Sequence, residues 1–244
     1  MTKTVIIDGG NILHRAIFAS MVQENVPATY TYLNMMTGYL KQLKVGLDDT
    51  VILAQDFGRS WRKGLDHNYK AQRKEAREGR KSPEWWKESY AKFDKLFEQL
   101  EPAVNWNFIK IWGMESDDIA SVAVRYYKNK ECICVSSDRD WEMLATFENV
   151  KIWSPVSKKF KHIPYPMKVL LEKIQGDVSD NLLNKPSTEK EFEVRKRIVD
   201  LTQLPQEIER PIREELEKIL PKNLYIKKIP FASIQEKFKK LYVV

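Results

Sequence analysis

The chain is poor in the residues that staple a fold or bind soft metals: two cysteines and three histidines in 244 residues. Cys132 and Cys134 lie one residue apart in Glu131-Cys132-Ile133-Cys134-Val135. That alternation points both thiols to one face of a strand. A redox pair or a zinc knuckle uses two intervening residues and further ligands, so buried, reduced thiols are expected. The histidines His14, His67 and His162 stand in unrelated contexts. Long apolar runs are also missing: none exceeds about five residues, against the roughly 20 that span a bilayer. The start, Met1-Thr2-Lys3-Thr4-Val5, runs straight into a strand-like stretch and lacks the apolar core and cleavage site of a signal peptide. An intracellular protein with no membrane association is expected. Glycine is scarce, nine in all, and none follows Gly176.

Hydrophobic residues make up 43% of the chain and charged ones 31%, the composition of an ordinary soluble globular protein. Its length suits one large domain, or one with a small appendage. The net charge is +7, and the excess is concentrated. Residues 59–81 hold nine Arg or Lys against three acids, and residues 222–244 hold six Lys against one Glu. Such patches are either a solvated surface or a track for a polyanion.

Apolar runs Val5-Ile6-Ile7, Val51-Ile52-Leu53-Ala54, Asn107 to Ile111, Cys132 to Val135 and Val150 to Trp153 read as strands. Between them, 29–44, 84–100, 119–127 and about 140–145 read as helices; Tyr32, Met35, Met36, Tyr39, Leu40 and Leu43 follow the 3.6-residue period. Residues 57–83 are polar, basic and broken by Gly58, Gly64, Gly79 and Pro83. Helices at 167–176, 188–203 and 206–220 follow, with Pro186, Pro205 and Pro211 as breaks or starts. Strands alternating with helices predict an α/β core with a mostly parallel sheet flanked by helices, over residues 1–165. Residues 166–244 are expected to form a small C-terminal helical lobe.

In such sheets the binding crevice lies at the carboxyl ends of the strands. Asp8, Asp56, Glu115-Ser116-Asp117-Asp118 and Asp138-Arg139-Asp140 each follow a predicted strand, and Asp177-Val178-Ser179-Asp180 comes later. Each alone has a simpler reading: a helix N-cap, acids in a first helical turn, or a surface turn. Together they make a cluster of nine carboxylates, seven fixed on the strand ends and two, Asp177 and Asp180, delivered from the helical lobe. Crowded carboxylates repel one another, and divalent cations are what neutralise them. Hard oxygen ligands favour Mg²⁺, with Mn²⁺ able to substitute, over zinc. Two ions about 3.5–4 Å apart can orient a water and support the leaving oxygen of a phosphodiester.

These residues carry a resemblance. Val5-Ile6-Ile7-Asp8-Gly9-Gly10-Asn11-Ile12-Leu13-His14-Arg15-Ala16 resembles the opening motif of the flap endonuclease and 5′-3′ exonuclease family, which includes bacteriophage 5′-nucleases and the N-terminal domain of bacterial DNA polymerase I. Asn68-Tyr69-Lys70-Ala71-Gln72-Arg73 resembles its Tyr-Lys-x-x-Arg element. Gly113-Met114-Glu115-Ser116-Asp117-Asp118, Ser136-Ser137-Asp138-Arg139-Asp140 and Gly176-Asp177-Val178-Ser179-Asp180-Asn181 resemble its acidic motifs, in the family's order. The resemblance implies a PIN-like fold, hydrolysis of phosphodiesters near DNA 5′ ends or flaps, a monomer with a possible replication-protein partner, and a bacterial or phage-infected cell. It makes Asp8, Asp56, Glu115, Asp117 and Asp138 ligands of one metal ion, and Asp118, Asp140, Asp177 and Asp180 ligands of a second. Lys70 and Arg73 become the cations beside the scissile phosphate, at the base of an arch-like segment spanning about 59–100. It also turns Arg15 toward the phosphate. The residues themselves add Arg59, Lys74 and Arg77 of the cationic stretch as nucleic-acid contacts and Tyr69 as an aromatic surface for a base.

The chain departs from the family after Asn181. The usual glycine-rich element, which opens a helix–three-turn–helix unit gripping the duplex, is replaced by Leu182-Leu183-Asn184-Lys185-Pro186-Ser187-Thr188-Glu189. A shortened duplex-binding region is expected, with the Lys-rich tail as its candidate substitute. Removal of RNA primers, a PIN-type ribonuclease and a non-catalytic nucleic-acid binder are the competing readings.

Overall fold

The computed structural model describes residues 2–23 and 25–242; the side chains of Lys74, Glu75 and Arg77 lie outside the description, and with them the expected phosphate contacts of Lys74 and Arg77.

Five parallel strands form the sheet: β1 (Lys3–Asp8), β2 (Thr50–Gln55), β3 (Trp106–Lys110), β4 (Glu131–Val135) and β5 (Val150–Ser154). A two-residue antiparallel strand that the sequence pattern did not show, β6 (Lys159–Phe160), ends it. The spatial order is β3-β2-β1-β4-β5-β6. The chain winds outward from β1 through β2 to β3, then crosses back to pair β4 with the other side of β1. The connections diverge between β1 and β4, which opens a crevice at the carboxyl ends of those strands.

Alternation along the strands divides the core into two. Ile6, Ile52, Cys132, Cys134 and Ile152 face one side, while Val5, Ile7, Val51, Leu53, Ile133 and Val135 face the other. Both cysteines are buried and free, as their spacing implied. On the first face lie α5 (Ser116–Tyr126), α6 (Pro166–Gln175), α7 (Glu189–Val199) and α8 (Gln206–Glu217). On the second lie α1 (Gly9–Val22), α2 (Ala28–Gln42) and α4 (Pro83–Leu100). Gly9 lets α1 start hard against β2: a Cβ there would stand 2.7 Å from the Ala54 carbonyl oxygen.

Three local expectations change. The turn expected as helix at about 140–145 is a 3₁₀ segment, Asp140–Thr146. Pro211 does not break α8 but lies inside it. Ile208, Ile212 and Leu216, all buried against the core, hold the helix together despite the lost backbone bond. The Lys-rich tail is ordered as α9 (Ala232–Tyr242) and returns to the second face: Ile234 and Phe238 are fully buried there, beside α2. Among the described residues no helix is long and apolar enough to cross a membrane.

Candidate active site

The strand ends deliver the acids as the pattern predicted, and the simpler readings hold at the same time. Asp8 ends β1 and is the N-cap of α1, accepting from the Asn11 N–H at 3.0 Å. Glu115 is the N-cap of α5, and its own N–H donates to Asp118 Oδ2 at 2.9 Å. Capping is how these carboxylates are aimed. It is not an alternative to function.

Ser116 and Ser136 set the first group. The Ser116 N–H donates to Asp56 Oδ1 at 2.7 Å, and its hydroxyl donates to Asp8 Oδ1 at 3.2 Å. The Ser136 hydroxyl donates to Asp8 Oδ2 at 2.7 Å and accepts from the Asp138 N–H at 2.9 Å. Gly10 lies between Asp8 and Asp56; a Cβ there would stand 3.8 and 3.6 Å from their oxygens. Among the described residues, Asp8, Asp56 and Asp138 have no ion pair with a cation. Burial, and then the nearby Asp56 charge, push the Asp8 carboxyl up to about 7.

The second group is organised by Arg62, which sequence reasoning missed. Its side chain is 1% exposed. Nη1 lies 2.9 Å from Glu115 Oε2 and 3.0 Å from Asp118 Oδ2, Nη2 lies 2.8 Å from Asp118 Oδ1, and Nε donates to the Ile198 carbonyl of α7 at 2.7 Å. Lys70 adds a contact of 2.6 Å to Glu115 Oε1, and the hydroxyls of Ser60 and Tyr69 donate to Glu115 Oε2. These cations hold the Glu115 carboxyl down at about 2 against the opposing cost of its burial. Tyr69 is 2% exposed, so the expectation of an aromatic surface for a base is corrected: packing has turned the ring inward as a donor to Glu115. Lys70 holds a left-handed backbone, φ 54°, tied by its N–H to the Asp180 carbonyl at 3.1 Å.

The third group comes from the turn after α6. Asp177 and Asp180 approach Asp140 around the ammonium of Lys173, also missed from the sequence. Arg73 reaches Asp180 at 3.2 Å. The signal for Lys173 was its position four residues before Asp177 on a helix; Arg62 had no local signal, since its partners lie more than fifty residues away.

The nine acids therefore converge on one edge, in three groups. Among the described residues no three of them close into a metal cage as they stand. The first group nevertheless fits a hard divalent cation: its donors are all oxygen, no cation balances it, and the neighbouring Asp117 Oδ1 is buried without a hydrogen bond, with Arg62 no closer than 3.6 Å. The third group does not offer the same, because a lysine already fills it. A cleft of about 320 Å³ runs over the first group, bordered by Arg15, Lys70 and Arg73. The Arg15 Nε in its wall is buried and without a hydrogen bond. A larger cleft of about 630 Å³ adjoins it, lined by Arg59, Lys63 and Arg80 together with His14 and Phe18, with the Arg80 guanidinium 5.1 Å from the centre of the Phe18 ring. One further six-residue helix, α3 (Arg73–Glu78), lies in the segment expected to form an arch.

Comparison with known proteins bears on the family and the fold. The chain is 29% identical to DNA polymerase I of Caldicellulosiruptor bescii over 88% of its own length and 27% of that protein's. It is 27% identical to Ribonuclease H of Enterobacteria phage T4 over 62% of its own length and 51% of that protein's. The chain thus spans about a quarter of one relative and half of the other. The fold matches crystal structures of the bacteriophage T5 enzyme: a form co-crystallised with metal ions (TM-score 0.61, 19% identity, 98% of this chain and 97% of that one) and a flap endonuclease pseudo-enzyme–product complex with DNA and metal ions (TM-score 0.60, 20% identity, the same coverage). Residues 3–174 match the family described as 5′-3′ exonuclease, N-terminal resolvase-like domain, and the chain belongs to that family.

Proposed function

We propose that this chain is a Mg²⁺-dependent 5′-nuclease that hydrolyses phosphodiesters near the 5′ ends or flaps of DNA. The observation that carries the reading is the uncompensated trio Asp8, Asp56 and Asp138 at the switch point of the sheet, bordered by a cationic cleft. A divalent ion bound there supplies a Lewis acid and a polarised water, and Asp8, Asp56, Asp138, Glu115 and Asp117 are the residues that would hold it. Arg62 keeps Glu115 ionised and holds Asp118 through contacts from both of its terminal nitrogens. Lys70 and Arg73 bind and orient the scissile phosphate, and Arg15 approaches it from α1. Arg59, Lys63 and Arg80 guide the strand into the cleft. Residues 1–165 act as the catalytic core, and the helices of 166–244, packed on both faces of its sheet, complete it, with duplex held without the usual glycine-rich unit. We place the protein in the cytoplasm of a bacterial or phage-infected cell, as a monomer working beside replication proteins, with Mn²⁺ able to replace Mg²⁺.

The name of the phage T4 relative favours a second reading, removal of RNA primers. Both are tested by 5′-labelled DNA–DNA and RNA–DNA substrates in flap, nicked, gapped and blunt forms, with and without Mg²⁺. Mg²⁺-dependent cleavage of DNA flaps is expected, and preference for the RNA strand supports the second reading. Asp138→Asn should lower cleavage at least about a hundredfold while DNA binding persists; full cleavage by that variant sinks the metal-site assignment.

A further inference from the structure

The ammonium of Lys173 stands where the family resemblance puts a second metal ion. It lies 2.6 Å from an Asp140 oxygen and 3.1 Å from Asp180 Oδ2, and it also donates to Asp177. An ammonium has three N–H donors and no acceptor, and all three go to carboxylates. The fourth expected ligand of that ion, Asp118, is fully buried and held by both Arg62 nitrogens and by the Trp61 indole at 3.0 Å. None of the four expected ligands is left without a cationic partner. The first group has no such partner.

The backbone makes this arrangement a built one. Lys173 sits on the last turn of α6, four residues before Asp177. Helix α6 stops at Gly176, whose φ of 155° is free for glycine. The chain then reverses through the paired backbone of Asp177 and Leu182, 2.8 Å in both directions. That reversal folds Asp180 back over α6. Lys173 is also largely enclosed, its side chain 11% exposed. A doubly charged ion among the same oxygens would face a fixed like charge in a region screened from water.

We propose that Lys173 supplies the cation of the Asp140, Asp177 and Asp180 group, so that the chain holds one divalent ion, at the Asp8, Asp56 and Asp138 group, instead of two. The inference rests on the metal-dependent nuclease reading and revises the expected number of ions. Lys173 is then a positioning residue. It sets the turn that carries Asp180 to Lys70 and Arg73, whether or not metal is bound.

The test is a Mn²⁺ titration of the full chain without DNA, following free Mn²⁺ by its paramagnetic resonance signal. The wild-type chain should bind one ion, lost in Asp138→Asn and kept in Asp177→Asn. Lys173→Ala should bind two. Lys173→Gln keeps the length and loses the charge, and it should also bind two; it serves if the alanine variant does not fold by circular dichroism. Two ions on the wild-type chain overturn the inference. So does a single ion on folded Lys173 variants, which would make the lysine a tether only. No Mn²⁺ on any of these proteins overturns the metal-dependent reading itself, and this inference with it.

Discussion

Asp8 is a carboxylate poorly able to keep its charge unaided. It is buried, faces Asp56 and is supported only by hydroxyl and amide donors. Its carboxyl sits at about 7 in the folded chain against 3.8 when exposed. A raised folded value means that stability present below about pH 4 is lost as pH rises to about 7. In the absence of divalent ions, Asp8→Asn should therefore raise the Tm by several degrees at pH 8 and leave it nearly unchanged at pH 4. An equal shift at both values would show that the charge of Asp8 is not what destabilises the site. Arg62 is the opposite case. Removing it takes from Asp118, fully buried, the cation it pairs with, and leaves Glu115 to Lys70 alone. Arg62→Met should cost about 3–5 kcal/mol, read as a lower urea midpoint. Arg62→Lys should recover only part of this, because one ammonium cannot reproduce the forked contacts to Glu115, Asp118 and the Ile198 carbonyl.

At the scale of elements, the strands were the most legible part of the sequence. They are short, mostly apolar runs, and β1, β2 and β4 end where Asp8, Asp56 and Asp138 imply. The counter-charges were hidden for a physical reason. Arg62 and Lys173 look like ordinary members of basic, solvated stretches until the chain folds distant carboxylates around them. The tail misled in the same way: its lysines suggested a charged surface, while Ile234, Phe238 and Leu241 form an apolar stripe at helical spacing. The structure uses that stripe to seat α9 on α2 and Trp106, whose ring lies 5.7 Å from that of Phe238. Phe238→Ala should thus cost about 3–5 kcal/mol. Lys239→Gln and Lys240→Gln, on the exposed side, should stay within about 0.5 kcal/mol. Equal effects in a chemical denaturation series would mean that α9 does not dock as described.

The whole molecule separates its charges by place. Acids gather at one edge of the sheet, and cations line the clefts that lead to it, so the net charge of +7 understates the field a nucleic acid would meet. A phosphate that enters between Arg59, Lys63 and Arg80 releases bound counterions, and each such contact adds about 0.7–0.9 to the slope of log affinity against log salt. Replacing Arg59 and Lys63 together with Gln should lower that slope by about 1.5 for a flap substrate, measured in the Asp138→Asn background so that no cleavage occurs. Lys87, Lys92 and Lys95 are exposed on α4 and line neither cleft. Replacing them should leave the slope unchanged, although it removes more charge from the molecule. If both sets lower the slope alike, net charge and not the cleft draws the nucleic acid, and the path assigned to the strand is wrong.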